Sequence, residues 1–595
     1  MSSNDPSTAA TLPELLAWRI AQTPDGAAYL WSEGGDWTHA TWGAFGARVA
    51  TMRTALAASG AAAQGDRLAI LMANGIEHVA MDQAAMSLGL VVVPMHAVDN
   101  PESIVYILED SAATVLVVET LERWRAIAGA GGTLSHLKLI LVADAEPADI
   151  AGEGEPRLAQ LAAWRARLGH GTPAPAARVA AGDLSAIVYT SGTTGRPKGV
   201  MLTHGNVMAN VKAIAARLPA DQTDVFLSFL PLSHTFERTA GYYYPIARGA
   251  AVAFARSTKD LPEDLKRVRP TILTSVPRVY ERFHAAIMKD VASSRLKQWL
   301  LNTTVAVGMR RFEARQGRAG PPPLLDAVLW PVLDRLVAAR IRAQLGGRMR
   351  VGVSGGAPIA PAVIGLFLAL GLDIVQGYGM TETSPVVSTN TPDDNDPATV
   401  GRALDGVEVR IGENSELMVR GPSVMRGYWK RPEETRRVLT GDGWLHTGDQ
   451  ALIRDGRITI TGRIKDIIVT STGEKVPPGD MELAILADPL FEQAMIVGEQ
   501  RPFLSVLAVM QKQGLAQLEK EHGREALAGV LLRRVTQTLA AFPAYAMPRA
   551  IWWTTEPWTI ENGLLTPTLK IKRLNLETRF AKEIAAMYAK GARAV

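Results

Sequence analysis

The sequence predicts an α/β fold: a large, multi-subdomain N-terminal domain with parallel and mixed sheets covered by helices, followed by a small α+β C-terminal domain. Short apolar runs at residues 66–72, 90–94 and 114–118 alternate with helical segments that begin near Gly75 and Asn100. Strands that are apolar throughout are typical of a parallel sheet buried on both faces. A chain of 595 residues is too long for one hydrophobic core, so two or more domains are expected.

A change of architecture near residue 460 predicts the domain boundary. The stretch that begins at Thr461, TGRIKDIIVTSTGEKVPPGDMEL, combines a charged cluster, a short apolar run and a turn with glycine. About 130 residues remain from there to the end, which is enough for a small domain. We therefore assign residues 1–461 to the large domain and residues 462–595 to the small one.

The remaining elements are predicted from periodicity and turn residues in the same way. A first helix is expected from Thr11 to Pro24, and another over residues 207–216. Residues 145–182, rich in Ala, Pro, Gly and Glu, are predicted to form a surface connection. Residues 295–350 are helical and rich in arginine, which favours a solvated face and leaves contact with anionic lipid headgroups as the alternative.

Composition and charge narrow the class of protein. The chain is 47% apolar and 21% charged, as globular proteins are, and its net charge of +4 gives little support for nucleic-acid binding. We find no signal peptide and no apolar run of about 18 residues. A cytoplasmic protein is therefore expected, with peripheral contact at the inner face of a membrane left open. The chain has no cysteine, which excludes a disulfide, a zinc–thiolate site and a cysteine nucleophile.

The densest group of ligand-binding residue types is the stretch YTSGTTGRPKG, from Tyr189 to Gly199. It follows an apolar run that is predicted to be a buried strand. Glycines that let the backbone approach a ligand, hydroxyl groups and one lysine, Lys198, suit the binding of a polyphosphate. The motif is not a Walker A loop, because Lys198 is followed by glycine rather than by Ser or Thr.

Further stretches carry groups suited to the rest of a nucleotide. The run VGVSGGA ends in a small-residue turn on which a flat ring can lie, and Tyr378 in QGYGMTETSP can stack on such a ring. In the same stretch Thr381 offers a hydroxyl, and Glu382 a carboxylate able to hold magnesium together with phosphate oxygens. Asp449, in HTGD, either belongs to an ordinary turn or accepts hydrogen bonds from both ribose hydroxyls.

Five stretches together resemble the adenylate-forming enzymes, the superfamily of acyl-CoA synthetases, peptide-synthetase adenylation domains and luciferases. They occur in the order of that family, at residues 189–199, 354–357, 376–385, 446–449 and 462–482. The segments LPLSHTFER, QGYGMTETSP and NGLLTPTLK are, taken together, most similar to the long-chain acyl-CoA synthetases.

The resemblance implies a nucleotide site. The ATP phosphates are expected to contact Thr190, Ser191, Gly192, Thr193, Thr194 and Lys198. The adenine slot is expected to comprise Gly355, Gly356, Ala357 and Tyr378. The remaining contacts are expected from Thr381 to phosphate, from Glu382 to Mg²⁺, and from Asp449 and Arg463 to the ribose.

The resemblance also implies a mobile small domain. In the family this domain rotates between two half-reactions, and Lys465 falls at the hinge position. Lys570 matches the family's mobile catalytic lysine, and Lys572 is a rival for the role. Catalytic roles are thus expected for Lys570, Thr381 and Glu382. His234, in the LPLSH segment, is either a residue of the acyl site or a structural histidine.

The implied reaction is the ATP-dependent activation of a long-chain fatty acid. Its carboxylate attacks the α-phosphate, pyrophosphate leaves, and coenzyme A then takes the acyl group, while Mg²⁺ and Lys570 offset charge repulsion. The thiol must come from outside, because the chain has no cysteine. Three alternatives stay open: transfer to a carrier-protein phosphopantetheine, an adenylate-binding protein without ligase activity, and a luciferase-type oxygenase. The oligomeric state, a homodimer included, is also open.

Overall fold

The computed structural model describes most of the chain and covers residues 8–190, 196–471, 474–540, 542–560, 562–566 and 570–589. Two mixed sheets organise the N-terminal part, and a smaller sheet lies in the C-terminal part. The predicted α/β fold is therefore confirmed. Of the residues expected to bind phosphate, four lie outside the described residues: Ser191, Gly192, Thr193 and Thr194.

The larger sheet has 13 strands in the described part of the chain. Six neighbouring strands run parallel, and the others pair antiparallel. In spatial order the strands are Glu408–Ile411, Glu416–Arg420, Leu445–Arg454, Arg457–Arg463, Arg402–Ala403, Val386–Thr389, Asp373–Gly379, Val351–Ser354, Ile272–Ser275, Val225–Ser228, Ala251–Phe254, Ala27–Glu33 and Asp36–Thr41. The parallel strands at its centre are buried and apolar, as their sequences predict.

The second sheet contains the three strands predicted from the first apolar runs. Its strands in spatial order are Gly427–Tyr428, Lys198–Thr203, Leu184–Thr190, Val91–Pro94, Arg67–Leu71, Ala113–Thr120, Leu139–Asp144 and Leu158–Gln160. The first three strands pair antiparallel with one another, and every pair from Leu184–Thr190 onward is parallel. The phosphate-loop stretch is thus built on this sheet.

Helices cover the sheets and fill the connections. The α-helices of the described residues are Leu12–Gln22, Trp42–Ser59, Ile76–Ser87, Pro101–Ser111, Leu121–Gly129, Pro147–Gly152, Leu161–Leu168, His204–Arg217, Tyr244–Arg248, Leu261–Val268, Pro277–Ala292, Arg295–Arg315, Leu324–Leu333, Ala339–Gln344, Pro361–Ala369, Pro432–Val438, Pro478–Ile485, Lys512–His522, Arg524–Thr538, Arg573–Arg579 and Ala581–Ala589. Two π-helical segments occur, at Glu237–Tyr243 and Asp334–Ala338, and short 3₁₀ turns lie at Thr381–Thr383, Glu413–Ser415, Ile464–Asp466 and Ala544–Ala546. None of the described helices is long and apolar enough to cross a membrane.

Local sequence signals explain where the early helices begin. The Thr11 hydroxyl accepts a hydrogen bond from the Glu14 backbone, and the Glu14 side chain caps Thr11 in return. The Asn100 side chain accepts one from the Ser103 backbone at 2.8 Å. These caps place both helices where the sequence predicts them.

The prediction of a surface connection over residues 145–182 is wrong in part. This segment contains two short helices and the strand Leu158–Gln160. Leu161 and Trp164 are buried, and their helix packs against Trp42–Ser59. The high content of Ala, Pro and Gly hid this pair of core residues.

The C-terminal part has hydrophobic cores of its own. Its three-stranded sheet comprises Phe491–Val497, Ser505–Met510 and Ala550–Thr554, and a two-stranded ribbon pairs Ile468–Val469 with Lys475–Val476. The two core clusters of this part draw all their residues from position 468 onward. Such self-contained cores are what an independent small domain requires.

The predicted boundary after residue 461 falls inside the strand Arg457–Arg463, the last strand that the chain adds to the larger sheet. Lys465 follows directly, in the 3₁₀ turn Ile464–Asp466. One contact across the junction is a hydrogen bond from Arg278 to the Glu492 carbonyl, at 2.9 Å. The boundary and the hinge position stay predictions.

One glycine sets how closely two helices pack beneath the larger sheet. A Cβ atom added to Gly308, in Arg295–Arg315, would lie 1.9 Å from the carbonyl oxygen of Ala369, in Pro361–Ala369. A distance this short cannot be accommodated without moving a backbone, so the close approach of the two helices requires glycine.

We expect Gly308→Ala to lower the free energy of unfolding by about 1–3 kcal/mol, because the methyl group would force the two helices apart. Chemical denaturation followed by circular dichroism measures the change. Gly365→Ala, in the facing helix, is the matched control. No atom lies within 4 Å of its Cβ position, and alanine favours a helix by about 1 kcal/mol. Equal destabilisation by both substitutions would contradict close packing at Gly308.

Candidate active site

The candidate residues gather at one edge of the larger sheet, where its parallel strands end. Gly355 follows the strand Val351–Ser354, and Tyr378 lies near the end of the adjacent strand. His234 lies in the connection after a third parallel strand. In open α/β sheets, ligands bind in the crevice outside the carboxyl ends of the strands. The positions expected to form the adenine slot and the acyl site therefore share one region.

The expected adenine slot is a short stretch of exposed backbone, which we call the shelf, at Gly356 and Ala357. A Cβ atom added to Gly355 would lie 3.0 Å from the ring of Phe236, so this position packs tightly against the His234 connection. Gly356 has a φ angle of +83°, a left-handed conformation that favours glycine. Gly356 and Ala357 are exposed, which leaves their backbone open to a ligand.

Asp449 is the centre of a buried hydrogen-bonded group. Its Oδ2 accepts a bond of 2.5 Å from the Tyr378 hydroxyl, and its Oδ1 accepts one of 2.8 Å from Arg463 Nε. Burial raises the pKa of Tyr378 well above its usual value, and Asp449 raises it further. A carboxylate offers about four acceptor sites, so Asp449 retains acceptor capacity for ribose hydroxyls.

Glu382 and Lys198 are linked through one tyrosine. The Tyr428 hydroxyl donates to Glu382 Oε1 at 2.8 Å, and the Lys198 ammonium lies 5.4 Å from the centre of the Tyr428 ring. Burial raises the pKa of Glu382, and the hydrogen bond from Tyr428 lowers this pKa in part. Thr381, the residue before Glu382, is buried, and its hydroxyl lies 3.4 Å from the hydroxyl of Thr235. The expected magnesium carboxylate and phosphate lysine thus belong to one connected group.

Lys198 is held at the start of a strand. It is the register partner of Thr190 and forms an ion pair with Glu434. The side chains of Lys198 and Glu434 are both partly exposed. An arriving anion would therefore compete with Glu434 for the lysine.

Gly199 was expected to let the backbone approach a ligand, and packing is its physical reason instead. A Cβ atom added there would lie 2.6 Å from Ile187 Cγ2, 3.1 Å from the Tyr189 ring and 3.3 Å from Trp429 Cβ. The glycine therefore permits the strands and Trp429 to stack, rather than a ligand to enter.

Lys570 lies within electrostatic reach of Asp449 and Glu382, and we call the space between these three side chains the cleft. Lys570 is exposed, yet the surrounding protein lowers its pKa, and Arg463 lowers it further. The Asp449 and Glu382 carboxylates act in the opposite direction. These are the electrostatic neighbours expected of a lysine that works beside a bound nucleotide.

The two candidate lysines differ in their surroundings. Lys572 has its electrostatic contact with Asp99, whose pKa is raised by burial and lowered in part by His96 and Lys572. Lys570 instead acts on His234 and on the carboxylates of the cleft. The structure therefore favours Lys570 over Lys572, and the catalytic role stays a prediction.

His234 is a neutral histidine beside this lysine. Burial lowers its pKa to about 3, and the positive charges of Lys570 and His96 contribute. Its Nδ1 accepts a hydrogen bond of 3.2 Å from the Phe236 backbone. The His234 ring thus contacts the backbone of Phe236 on one side and lies within electrostatic reach of Lys570 on the other. Its place in the acyl site stays a prediction.

Glu237 carries a buried carboxyl group with few hydrogen-bond partners. Neither of its oxygens forms a well-aligned hydrogen bond to a described residue. Burial raises its pKa to about 8, and the Ser228 hydroxyl lowers it in part. A Cβ atom added to Gly241 would lie 2.4 Å from Glu237 Oε1, so this glycine makes room for the carboxyl group.

Three residues of this region were missed by sequence reasoning. Tyr428 and Glu434 lie in VMRGYWKRPEET, which has no motif of its own, and they reach the site because Gly427–Tyr428 pairs with Lys198–Thr203. Glu237 lies within the LPLSHTFER segment, but in sequence it looks like an ordinary charged residue and received no role. A glutamate so close to a buried aromatic run was the one available signal.

The chain belongs to the AMP-binding enzyme family. The profile of that family matches residues 16–429, and the profile of the AMP-binding enzyme C-terminal domain matches residues 465–592. This confirms the resemblance to the adenylate-forming enzymes that the motifs indicated.

Relatives and solved structures extend the likeness over nearly the whole chain. A long-chain-fatty-acid–CoA ligase, FadD15 of Mycobacterium bovis, is 33% identical over 589 residues, with 95% of each chain covered. The chloroplastic long-chain-fatty-acid–[acyl-carrier-protein] ligase AEE15 of Arabidopsis thaliana is 30% identical over 581 residues, which cover 88% of this chain and 79% of that one. The AMP complex of the A-PCP didomain of carboxylic acid reductase from Segniliparus rugosus has a TM-score of 0.78 at 22% identity, covering 99% of this chain and 84% of that one. The similarity to this last structure shows that the two chains share a fold.

We expect Glu237→Gln to stabilise the protein at alkaline pH. The carboxyl group stays protonated in the fold up to about pH 8 but ionises near its usual pKa in the unfolded chain. Stability is therefore lost as pH rises between these two values, by an amount on the order of a few kcal/mol. Glutamine cannot ionise and avoids this loss.

Thermal unfolding across pH 5 to 8 checks this prediction. The melting temperature of Glu237→Gln relative to the native protein should rise with pH and level off near the pKa of about 8. Glu519→Gln, at an exposed helical position, is the matched control and should show no such trend. A constant difference at every pH would contradict a protonated Glu237.

Proposed function

We propose that the protein is a cytoplasmic long-chain fatty acid–CoA ligase that forms an acyl-adenylate and pyrophosphate from ATP, and then an acyl-CoA thioester. The observation that carries the proposal is the cleft in which Lys570 lies among Arg463, Asp449 and Glu382. Relatives that match 95% of the chain and are named as long-chain fatty acid–CoA ligases support the choice of substrate.

The first step brings two anions together, so charge is the main obstacle. The Lys570 ammonium would lie beside the α-phosphate and offset the negative charge that builds up as the fatty carboxylate attacks. Lys198 would hold the outer phosphates once Glu434 gives up the lysine. Asp449 and Arg463 would fix the ribose, and Tyr378 would cover the adenine against the shelf at Gly356.

The residues around Glu382 fit a magnesium ion. One oxygen of its buried carboxylate is held by Tyr428, which orients the group, and carboxylate oxygens are ligands that Mg²⁺ prefers. When bound, the ion would neutralise phosphate charge. Thr381, in the same turn, would donate its hydroxyl to phosphate.

We place the carboxyl end of the fatty acid near the neutral His234 ring. Lys570 acts electrostatically on this ring, so the histidine and the lysine lie on the same side of the candidate site.

The second step requires the small domain to move, because a lysine occupying the cleft blocks the approach of a thiol. Lys465 lies directly after the last strand of the larger sheet, where a change in backbone angles would swing the small domain. We assign the hinge to this position.

A carrier-protein thiol is the second candidate acceptor. It is favoured by one relative, which covers 88% of this chain and is named as a ligase for the acyl-carrier protein. A third candidate, an adenylate-binding protein without ligase activity, is disfavoured because Lys198, Glu382 and Lys570 are all present.

Pyrophosphate release tests the function. The purified protein is given ATP, magnesium and a series of saturated fatty acids, with and without coenzyme A. The proposal expects release that depends on a long acyl chain, and acyl-CoA when coenzyme A is present. If acyl-AMP accumulates in the presence of coenzyme A but is consumed when carrier protein is added, the acceptor is the carrier protein and not coenzyme A. No release with any acid would overturn the ligase assignment.

We expect Lys570→Ala to slow adenylate formation by about 100-fold or more, while thioester formation from preformed acyl-AMP stays largely intact. Lys572→Ala is the matched control, and should leave adenylate formation close to native because its ammonium lies by Asp99. The two half-reactions are measured separately, by pyrophosphate release and by acyl-CoA formed from acyl-AMP. Equal loss in both half-reactions would remove the assigned role from Lys570.

We expect Lys465→Pro to show the opposite split. Proline fixes φ and restricts the residue before it, so it should hinder rotation of the small domain and slow thioester formation about tenfold or more. Adenylate formation should change little, since Lys570 is already within electrostatic reach of Asp449 and Glu382. A native rate of thioester formation would move the hinge elsewhere.

A further inference from the structure

One long helical segment leaves an apolar row exposed. Helix Leu324–Leu333 continues through Asp334–Ala338 into Ala339–Gln344. Along it, four side chains repeat at every fourth position, with exposed fractions of 88, 71, 55 and 43%: Leu324, Val328, Val332 and Leu336. We call these four residues the apolar stripe. Spacing of four places them on one side of a helix.

The exposure of the stripe is not a by-product of a loosely packed segment. The other side of the same helix buries Asp326, Leu333 and Ala338, and Asp326 is held by two bonds from Arg310, at 2.7 and 2.8 Å. The helix is therefore fixed in orientation, with the stripe facing outward.

More exposed apolar side chains lie on the same helix and on the one that packs against it. Leu325 is 65% exposed, and on Arg295–Arg315 the exposed fractions are 64% for Leu296 and 61% for Trp299. Single exposed hydrophobic residues are ordinary, but several on adjoining helices mark an interaction surface.

The charge around the stripe is strongly positive. Residues 277–344 contain twelve Lys and Arg against five Asp and Glu, whereas the whole chain has a net charge of only +4. Four of the five acids are already paired with basic residues of the same segment. Several basic residues form no ion pair with any described residue: Arg282, Lys289, Arg295, Arg335 and Arg340.

We propose that this surface binds anionic phospholipid bilayers, with the apolar stripe inserted among the acyl chains and the unpaired basic residues in contact with lipid phosphates. An apolar helical face beside Lys and Arg is the arrangement that binds a bilayer surface. Arg335 and Arg340, next to the end of the stripe, are placed to snorkel toward the headgroups.

Charge decides between a bilayer and a second copy of the chain. Two copies meeting through this surface would bring two segments of like positive charge together, which is unfavourable. An anionic bilayer neutralises the same charge while it covers the apolar stripe. The proposal does not rest on the ligase function, because it concerns binding and not turnover.

Vesicle co-sedimentation of the full chain tests the proposal. We expect binding to vesicles that contain phosphatidylglycerol, weaker binding to phosphatidylcholine alone, and loss of binding as salt rises. Leu324→Glu with Val328→Glu should lower the affinity for these vesicles about tenfold or more. Arg335→Glu with Arg340→Glu should lower it at least as much, because each lost basic residue weakens binding to an anionic surface.

Matched controls keep the test sharp. Ile411→Glu with Leu452→Glu changes two exposed apolar residues elsewhere, 39 and 44% exposed, and should leave binding unchanged. Circular dichroism and thermal unfolding confirm that each variant folds. A native chain that ignores anionic vesicles, or a stripe variant that binds as well as native, would overturn the proposal. If the native chain is a dimer in size-exclusion chromatography, the stripe variant is a monomer and neither binds vesicles, the surface is an interface with a second copy instead.

Discussion

The buried carboxylate of Asp449 is the interaction on which the candidate site depends. It ties the central sheet, through Tyr378, to the last strand of that sheet, through Arg463. Its charge also acts on Lys570, which belongs to the other domain. If Arg463 were removed, this buried charge would lose its ion-pair partner at a cost of several kcal/mol. Asp449 thus links the two strands of the large sheet that carry the candidate site with the lysine of the C-terminal part.

A second group of contacts brings the two sheets to the same nucleotide region. Glu382 follows a strand of the larger sheet, and Lys198 begins a strand of the second sheet. Tyr428 contacts both, by a hydrogen bond to one and its ring face to the other. The separation between the magnesium carboxylate and the phosphate lysine is therefore set by rigid strands, and not by loops alone.

Much of this could be predicted because the residues concerned carry local patterns. Apolar runs located the parallel strands, capping residues located two of the helices, and glycine-rich motifs indicated the candidate site. Tyr428 and Glu434 have no such pattern, since only tertiary pairing of a two-residue strand brings them to Lys198. The choice between Lys570 and Lys572 was equally out of reach, because two lysines in one short loop differ only in their surroundings.

The strand Gly427–Tyr428 has a consequence for how the chain folds during synthesis. It covers the outer side of Lys198–Thr203, and the neighbouring Trp429 reaches back to the Asp110 carbonyl across 319 residues of sequence. Until the ribosome has made this late segment, the sheet ends in an unpaired strand, the kind of edge that templates aggregation. Contacts so distant in sequence also form slowly. The nascent chain therefore has this open sheet edge throughout the synthesis of residues 204–426, and a chaperone that shields such edges would matter more here than the stability of the finished protein suggests.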